Sequence, residues 1–356
     1  MLVFTVSCII LLELFDKCTI LAYNKGMNNL AKGIFMLDTQ IGLSPLTLCA
    51  LNELSSVILH RNQTGISDVS ITSLAQWSRP LDAQYMQIGK TLFLSLKYSN
   101  GTRYLLEPFA EGCMDDDIIN AANRFPDTSF ITVSEQTKDK LLRLFGKKYL
   151  SFAMSNYSDY VYRVSDIASP DYINNLHSYF RKEYMRRLHA EKKLEFTEYR
   201  DTIPYDVKDF FEHSYRQIKS DDANLIGGEY VGAKYLLDNI SRVKTARFGA
   251  LRMDGKVIGA ICIGRINADI CDITFVKNDH ETRGSSILIL HYGLSRLAAD
   301  YAYYNFQEDM GIPGLKSFKE RLNPVRKISK YLVVPAHCGI DEYTLGKIGT
   351  ANPTNI

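Results

Sequence analysis

The sequence predicts an α+β protein of two domains, each built on a mixed and mostly antiparallel sheet flanked by helices. The chain has 356 residues, too many for one ordinary core and suited to two domains of roughly 100–200 residues each. Apolar residues make up 46% and charged residues 23%, values that exclude a disordered chain and a polytopic membrane protein. Segments with helical and strand periodicity alternate along the chain, separated by turn signals.

The first half of the chain carries patterns for helices, a hairpin and a further strand. Apolar residues at helical spacing predict a helix over residues 44–59, with Ser44 and Pro45 as its N-cap and first residue. A short helix or strand over residues 67–77 holds Trp77, the single tryptophan. Strands are predicted at residues 83–88, 91–98, 103–107 and 130–133. Two more helices are predicted at residues 115–124 and 135–145.

The second half follows a turn-rich boundary at residues 156–159. Its strongest hairpin signal is Asp254-Gly255, between two apolar runs. Helices are predicted at residues 170–188, 205–219, 230–240 and 284–302. Extended segments are predicted at residues 194–199, 248–253, 256–265, 268–276 and 303–306. This order of helices, three antiparallel strands, a helix and a final strand is typical of an α+β layered domain. The first half of the chain shows a similar but less complete order.

These patterns divide the chain into an N-terminal domain, residues 36–158, and a C-terminal domain, residues 159–335. Residues 336–356 form a tail. Residues 1–35 are an N-terminal extension or a mis-assigned start, with Met36 as the true start. Their apolar run is too short for a spanning helix, which needs about 20 residues, and lacks the basic residues that precede a signal sequence.

Charge, cysteine and histidine usage narrow the function classes. The net charge is +2, so no global field attracts nucleic acid, stable DNA binding is not expected, and any basic site must be local. The seven cysteines form no CxxC pair; Cys262 and Cys271 are predicted to be small core residues. The seven histidines show no metal-ligand spacing, so no metal site is predicted. The scattered cysteines predict a protein of the reducing cytoplasm. Peripheral contact with the membrane is an alternative.

A candidate anion site follows the predicted strand at residues 268–276. The loop Glu281-Thr-Arg-Gly-Ser-Ser286 opens a helix, whose N-terminal N–H groups attract an anion. The candidate contacts are His280, Arg283, Gly284, Ser285 and Ser286. The alternative is a helix cap that binds no ligand.

This loop resembles the pyrophosphate loop of the N-acetyltransferase-like (GNAT) superfamily, Arg/Gln-x-x-Gly-x-Gly/Ala, which opens a helix after the fourth strand. Gly284 fits that pattern. Glu281 and Ser286 depart from it, which argues against acetyl-coenzyme A and leaves a tRNA or lipid phosphate as the anion.

A second motif runs from Asn305 through Glu308-Asp309-Met310-Gly311 and Gly314-Leu-Lys316 to a basic segment ending in Tyr331. It resembles the closing signature of the phosphatidylglycerol lysyltransferase C-terminal domain-like family. That signature reads Asn, two residues, Glu-Asp-Leu-Gly, two residues, Gly-Leu-Arg/Lys and a basic tail ending in Tyr. Met310 replaces the leucine, and the resemblance extends more loosely over most of residues 36–335.

The resemblance implies two tandem GNAT-like domains and an acyltransferase that moves an aminoacyl group from aminoacyl-tRNA to a lipid headgroup or peptide amine. No cofactor is certain, because the acyl donor is either aminoacyl-tRNA or acyl-CoA. Two alternatives stay open. One is an acetyl-CoA-dependent N-acetyltransferase, and the other is a non-catalytic module that binds an anion, tRNA or lipid headgroup.

The second motif contains the candidate catalytic residues and a candidate basic surface. Glu308 and Asp309 follow a strand and could accept a proton or hold an ammonium, and Asn305 is the third catalytic candidate. The alternatives are a turn or structural ion pair for the carboxylates, and contacts to backbone groups for Asn305. Residues 310–331 hold six Lys or Arg against one Glu, which predicts a basic surface beside the anion loop for a tRNA or an anionic lipid headgroup. Its candidate contacts are Lys316, Lys319 and Arg326.

Overall fold

The structure is a computed structural model that describes residues 42–98, 101–112, 114–172, 179–216, 223–338, 340, 345–346 and 348–349. The predicted extension 1–35 and most of the predicted tail lie outside these residues. In the part described, no helix is long and apolar enough to cross a membrane.

The first sheet has the strand order β1-β2-β3-β4-β6-β15-β7, with β5 beside β3. Its strands are β1 Ser44–Pro45, β2 Gln84–Ile88, β3 Thr91–Lys97, β4 Arg103–Leu105, β5 Phe109–Ala110, β6 Ser129–Val133, β7 Tyr149–Ala153 and β15 Tyr331–Pro335. The strands β4 and β6 pair in parallel, because a helical connection separates them in the chain.

The second sheet has the strand order β14-β8-β13-β12-β11-β10-β9. Its strands are β8 Asp159–Arg163, β9 Leu194–Tyr199, β10 Ala246–Met253, β11 Lys256–Arg265, β12 Ile270–Asn278, β13 Tyr303–Asn305 and β14 Arg326–Ile328. The strands β12 and β13 pair in parallel, and their neighbours in this sheet pair antiparallel. Cys262 and Cys271 are buried free thiols in this sheet, as predicted.

Ten α-helices within the described ranges flank the sheets. They are α1 Leu48–Arg61, α2 Ile71–Trp77, α3 Asp115–Arg124, α4 Glu135–Phe145, α5 Val164–Ala168, α6 Tyr179–Glu191, α7 Tyr205–Arg216, α8 Ala223–Asp238, α9 Ser285–Leu297 and α10 Pro313–Arg321. The helix α9 lies against β10, β11 and β12, while α2 and α7 contact β11. The second sheet therefore has helices to cover its buried strands.

Both sheets share one topology. In each, a helix lies between the fourth strand counted from one edge and a later strand, and the strand that follows this helix pairs with the fourth strand in parallel. The fourth strands are β4 and β12, and the parallel partners are β6 and β13. The predicted α+β fold class is confirmed: the chain forms two mixed, mostly antiparallel sheets, each flanked by helices.

One strand of the C-terminal half completes the first sheet. The last strand, β15, belongs to the C-terminal half by sequence, yet it pairs with β6 and β7 inside the first sheet. The second sheet takes all its strands from the C-terminal half, beginning with β8, which pairs with β13 and β14. The backbone hydrogen bonds of the first sheet therefore need residues from both halves.

Several elements differ from the sequence predictions. Ser44 and Pro45 form an edge strand rather than a helix start, and α1 begins at Leu48, where Thr47 Oγ1 accepts a hydrogen bond from Ala50 N at 3.2 Å. The segment 67–77, predicted as one helix or strand, is a 3₁₀ turn followed by α2. Strands β7, β8, β14 and β15 were not predicted, since their pairing partners are remote in the chain.

Candidate functional site

The parallel strands β12 and β13 open a wedge in the second sheet. They pair at Ile270 with Tyr303, at Cys271 with Tyr304 and at Asp272 with Asn305. Beyond Asp272, β12 continues to Asn278 while β13 ends at Asn305. On the side that faces β13, residues 273–276 therefore have no neighbouring strand in the described chain.

The first sheet has no comparable edge. Its fourth strand, β4, ends at Leu105, directly after its pairing with β6. Just beyond, the carboxylate of Glu107 accepts hydrogen bonds from Ser134 N at 2.7 Å and Ser134 Oγ at 2.9 Å, and so holds the start of α4. Of the two sheets that the structure describes, only the second continues its fourth strand past the parallel pairing, and residues 273–276 there are at most 2% exposed.

A helix from the first half closes the base of the wedge. The carboxylate of Asp272 accepts hydrogen bonds from Thr72 Oγ1 at 3.1 Å and from Ser73 Oγ at 3.2 Å, both on α2, and from Thr274 Oγ1 at 3.0 Å. Burial raises the pKa of Asp272 to about 6, against the lowering effect of these hydroxyl donors. The 67–77 segment therefore anchors the first half to the second sheet.

Beside this base lies a buried ionic cluster of Lys330, Asp68, Asp159 and Glu308, which we call the Lys330 cluster. The ammonium of Lys330 lies 2.7 Å from Asp159 Oδ1 and 3.1 Å from Glu308 Oε2, and it also donates to Asp68 Oδ2. Its side chain is 0% exposed. The three carboxylates are close enough to ligate a metal ion, but the ammonium occupies the space between them.

The pKa values of the Lys330 cluster follow from burial and mutual attraction. Burial raises the pKa of Glu308 to about 8, although the Lys330 ammonium opposes this shift, and burial also raises the pKa of Asp68. For Lys330, burial alone would lower the pKa, but the three carboxylates outweigh it and raise the pKa. Glu308 Oε1 is buried without a hydrogen-bond partner in the described residues.

The other two catalytic candidates are fully engaged in hydrogen bonds. Asn305 Nδ2 donates to Gly65 O at 2.9 Å and to Asp159 Oδ2 at 2.8 Å, and its Oδ1 accepts from Gln307 N at 2.7 Å. These contacts fit the alternative of backbone support for Asn305. Asp309 accepts from the Tyr160 hydroxyl and from Gly311 N, so it forms a turn. It does not cap α10, whose N-cap is Ile312.

Backbone strain surrounds Glu308 and Asp309. Gln307 has a φ of 58° and Met310 a φ of 55°, in the left-handed region that non-glycine residues rarely occupy. Each such residue costs on the order of 1 kcal/mol and persists only where the surrounding contacts enforce it. Strained residues of this kind cluster at functional sites.

The predicted basic surface is only partly present, because Lys319 is buried. Lys319 is 3% exposed and its ammonium donates to the carbonyl oxygens of Phe306 and Glu308. Burial lowers its pKa to about 8. The expectation that Lys319 contacts a tRNA or lipid from an exposed surface is therefore wrong: this residue lies on the inner face of α10. Lys316 and Arg326 are exposed.

Arg326 also lies away from the anion loop, contrary to the prediction of one continuous basic site. Its side chain lines a groove with Ile270, at the start of β12. The anion loop follows Asn278, at the other end of that strand. A strand of 9 residues separates its ends by roughly 26 Å, at about 3.3 Å per residue. The two groups of residues therefore cannot hold one phosphate.

The anion loop uses several of its own donors. Ser285 N donates to Thr282 O at 3.1 Å, and the Ser285 hydroxyl donates to Asp279 O at 2.6 Å. The guanidinium of Arg283 lies 5.2 Å from the ring of Tyr184 on α6. Burial lowers the pKa of His280, which favours its neutral form. These contacts fit a helix cap, and anion binding by His280, Arg283, Gly284, Ser285 and Ser286 stays a prediction.

Gly284 is expected to tolerate no side chain. Its φ is +86°, and a Cβ there would lie 2.8 Å from Met185 Sδ. Gly284→Ala should lower the free energy of unfolding by about 1–2 kcal/mol for the left-handed backbone, plus the cost of displacing Met185. Gly112, with a φ of +80° and no atom within 4 Å of such a Cβ, provides the matched control. Equal losses in urea titrations of Gly284→Ala and Gly112→Ala would contradict the crowding by Met185.

Sequence reasoning missed the partners of Glu308. Asp68 and Lys330 are 262 positions apart in the chain, and Ser67 N donates to Asp159 Oδ2 across 92 positions. Lys330 belongs to the basic tail of the signature, where its residue type does not distinguish it from an exposed cation. The only feature of the sequence that could have indicated this cluster was Asp68, an acidic residue that precedes a buried helix in the chain.

A second group with metal-ligand side chains comprises Asp127, His337 and Cys338, all exposed at one end of the first sheet. Their ligand atoms lie within 4.8 Å of one another, and zinc uses such side chains. His337 Nε2 already contacts Asp127 Oδ1 at 2.8 Å. That contact satisfies both groups without a metal, so we assign no role to this trio.

Comparison with solved structures identifies similar folds. A conserved protein of unknown function from Bacteroides thetaiotaomicron aligns with a TM-score of 0.72 and 20% identity, over 83% of this chain and 100% of that one. The L-PGS structure from Bacillus licheniformis aligns with a TM-score of 0.56 and 13% identity, over 83% and 93% of the two chains.

A third similar structure is the C-terminal domain of a protein assigned as a lysylphosphatidylglycerol synthetase from Agrobacterium fabrum. It aligns with a TM-score of 0.52 and 12% identity, over 80% of this chain and 90% of that one. The sequence itself matches no protein-family model and no curated protein. The chain therefore has the fold of the lysylphosphatidylglycerol synthetase C-terminal domain, as its closing signature predicts.

Proposed function

We propose that this protein is an acyltransferase that moves an aminoacyl group from an aminoacyl-tRNA-type donor to an amine or hydroxyl acceptor, such as a lipid headgroup or peptide. The observation that carries the proposal is the edge of β12 at residues 273–276, which borders the wedge without a neighbouring strand in the described chain. Backbone N–H and C=O groups on such an edge hydrogen-bond an extended ligand, as an added strand would. Because residues 273–276 are at most 2% exposed, the ligand reaches this edge only after the groups that cover it move.

The reaction needs little covalent chemistry from the protein. The acceptor attacks the acyl carbon, the ester bond to the donor's ribose oxygen breaks, and the acceptor's proton passes finally to that oxygen. Orientation of the two substrates supplies much of the rate gain. Backbone N–H groups in the wedge would stabilise the oxyanion that forms on the way.

Glu308 is the proton acceptor in this proposal. Its Oε1 has no hydrogen-bond partner in the described residues, and its ionised form, which gains population as the pH approaches its pKa of about 8, accepts the proton. Because Glu308 is 2% exposed, an acceptor contacts it only after the strained segment 307–310 moves. In the proposed reaction Asn305 and Asp309 position this segment.

Hydrogen exchange tests the binding site directly. A bound donor should protect the wedge-facing amides of residues 273–276 against exchange and leave those of β9, at the outer edge of the same sheet, unchanged. Protection confined to β9 or to the first sheet would place the donor elsewhere and reject the wedge as its site.

Transfer assays identify the donor. Charged tRNA labelled in the aminoacyl group should give labelled lipid or peptide, whereas acetyl-coenzyme A should bind weakly, since Glu281 and Ser286 depart from the pyrophosphate pattern. Micromolar affinity for acetyl-coenzyme A in calorimetry would replace the proposal with the N-acetyltransferase alternative. Binding of charged tRNA without transfer to any acceptor would indicate the non-catalytic module.

A further inference from the structure

A groove of about 520 Å³ lies at the opposite end of the second sheet from the wedge. Its walls come from the last turns of α1, the loop between β11 and β12, and the starts of β13 and β14. The side chains that matter for its chemistry are His60, Arg265, Asp269, Tyr303 and Arg326. This volume falls in the range of about 300–1,000 Å³ typical of small-molecule sites.

The two arginines of the groove carry charge that no carboxylate neutralises in the described chain. Arg265 Nε donates to Asn267 O at 3.1 Å, and Arg265 forms no salt bridge in the described residues. The guanidinium of Arg326 lies 5.8 Å from the centre of the Tyr303 ring. The neighbouring Arg61, by contrast, is paired with Glu111 at 3.2 Å. Two exposed guanidinium groups beside one groove favour an anionic ligand.

The loop that carries Arg265 is held in place before any ligand binds. Asn267 Nδ2 donates to Asn62 O at 3.1 Å, which ties the loop to the end of α1. Asn267 Oδ1 accepts from Asp269 N and Ile270 N, each at 3.0 Å. A fixed loop lowers the entropy cost of binding.

Two features of the groove oppose an anion. Asp269 contributes one negative charge, and the C-terminal end of α1 carries the negative end of a helix dipole. Arg265 and Arg326 against Asp269 leave a net charge of +1 among these three side chains. His60, in the last turn of α1, lines the same groove. The positive groups therefore outnumber the negative one.

We propose that this groove binds a phosphate monoester of about nucleotide size. A guanidinium presents paired N–H donors that match phosphate oxygens, and two of them here suit a doubly charged phosphate better than a carboxylate. The ring of Tyr303 offers an apolar face for the organic part of the ligand. This site is separate from the wedge, and its test is independent of the proposed transferase.

The phosphate could belong to a free nucleotide or to the 5′ end of an RNA. Calorimetry with the full chain would use inorganic phosphate, adenosine monophosphate, adenosine, and a short RNA with and without a 5′ phosphate. We expect binding of phosphate and adenosine monophosphate but not of adenosine. Equal affinity for adenosine monophosphate and the phosphorylated RNA would indicate a free nucleotide, and tighter binding of the phosphorylated RNA would indicate an RNA end.

Arginine variants decide whether the groove is the site. Arg265→Gln and Arg326→Gln should each weaken adenosine monophosphate binding at least tenfold, while Arg296→Gln, an exposed arginine on α9, should leave it unchanged. All three should melt like the parent protein, since the replaced side chains are exposed. No binding of any phosphate compound, equal binding of adenosine, or unchanged affinity in both groove variants would overturn the proposal.

Discussion

Lys330→Met is expected to lower the free energy of unfolding by about 3–5 kcal/mol, because it leaves buried carboxyl groups without their cation. Methionine matches the length of the lysine side chain but removes its charge. Asp68, Asp159 and Glu308 would then face one another in a buried space without a cation. Urea denaturation at pH 7 measures the loss.

Two further variants make this test specific. Adding Glu308→Gln to Lys330→Met removes one of the carboxyl groups that have lost their cation. The double variant should therefore recover part of the lost free energy of unfolding. Lys316→Met changes an exposed lysine on α10 and should stay within about 0.5 kcal/mol of the parent protein. If Lys330→Met unfolds at the same urea concentration as Lys316→Met, the Lys330 cluster does not stabilise the fold.

Glu308→Gln is expected to remove a decline in stability between pH 5 and pH 8. The usual glutamate pKa of 4.5 applies to the unfolded chain, whereas burial raises the pKa in the folded protein to about 8. Between these values the folded state holds a proton that the unfolded state has released. Stability therefore falls as pH rises, by at most about 1.4 kcal/mol per pH unit. Glutamine has no such proton.

Melting temperatures at pH 5, 6, 7 and 8 test this sign. The curve of the parent protein should fall more steeply with pH than the curve of Glu308→Gln. Glu320→Gln replaces an exposed glutamate that pairs with Lys327 at 3.3 Å, and its curve should run parallel to the parent's. Parallel curves for Glu308→Gln as well would mean that Lys330 keeps Glu308 ionised throughout this range.

Much of the local structure follows from the sequence. The predicted helices at residues 115–124 and 135–145 and the predicted strand at residues 194–199 have the bounds that the structure shows. In each, the spacing of apolar residues indicates which face is buried, and that spacing depends only on near neighbours. The hairpin at Asp254-Gly255 forms for the same reason: Asp254 adopts a φ of 51° and Gly255 a φ of 86°.

The pairing of β15 with the first sheet could not be predicted in this way. The run 331–335 is short and apolar, and nothing in it tells whether it pairs with β6 and β7 or with the strands of its own half. Strand pairing across long sequence separations depends on the whole assembled sheet. The same limit applies to Ser44 and Pro45, whose cap-like pattern is satisfied as an edge strand against β2.

The sequence by itself determined the fold class, most helices and the segment that holds Asn305, Glu308 and Asp309. Only the tertiary structure decided which charges in that segment are exposed. Lys316 and Lys319 lie three positions apart on α10, yet the first is exposed and the second is 3% exposed. Both are lysines in a basic run, so their residue type cannot separate them. The difference arises because one face of α10 packs over Phe306 and Glu308, whose carbonyl oxygens hold the Lys319 ammonium.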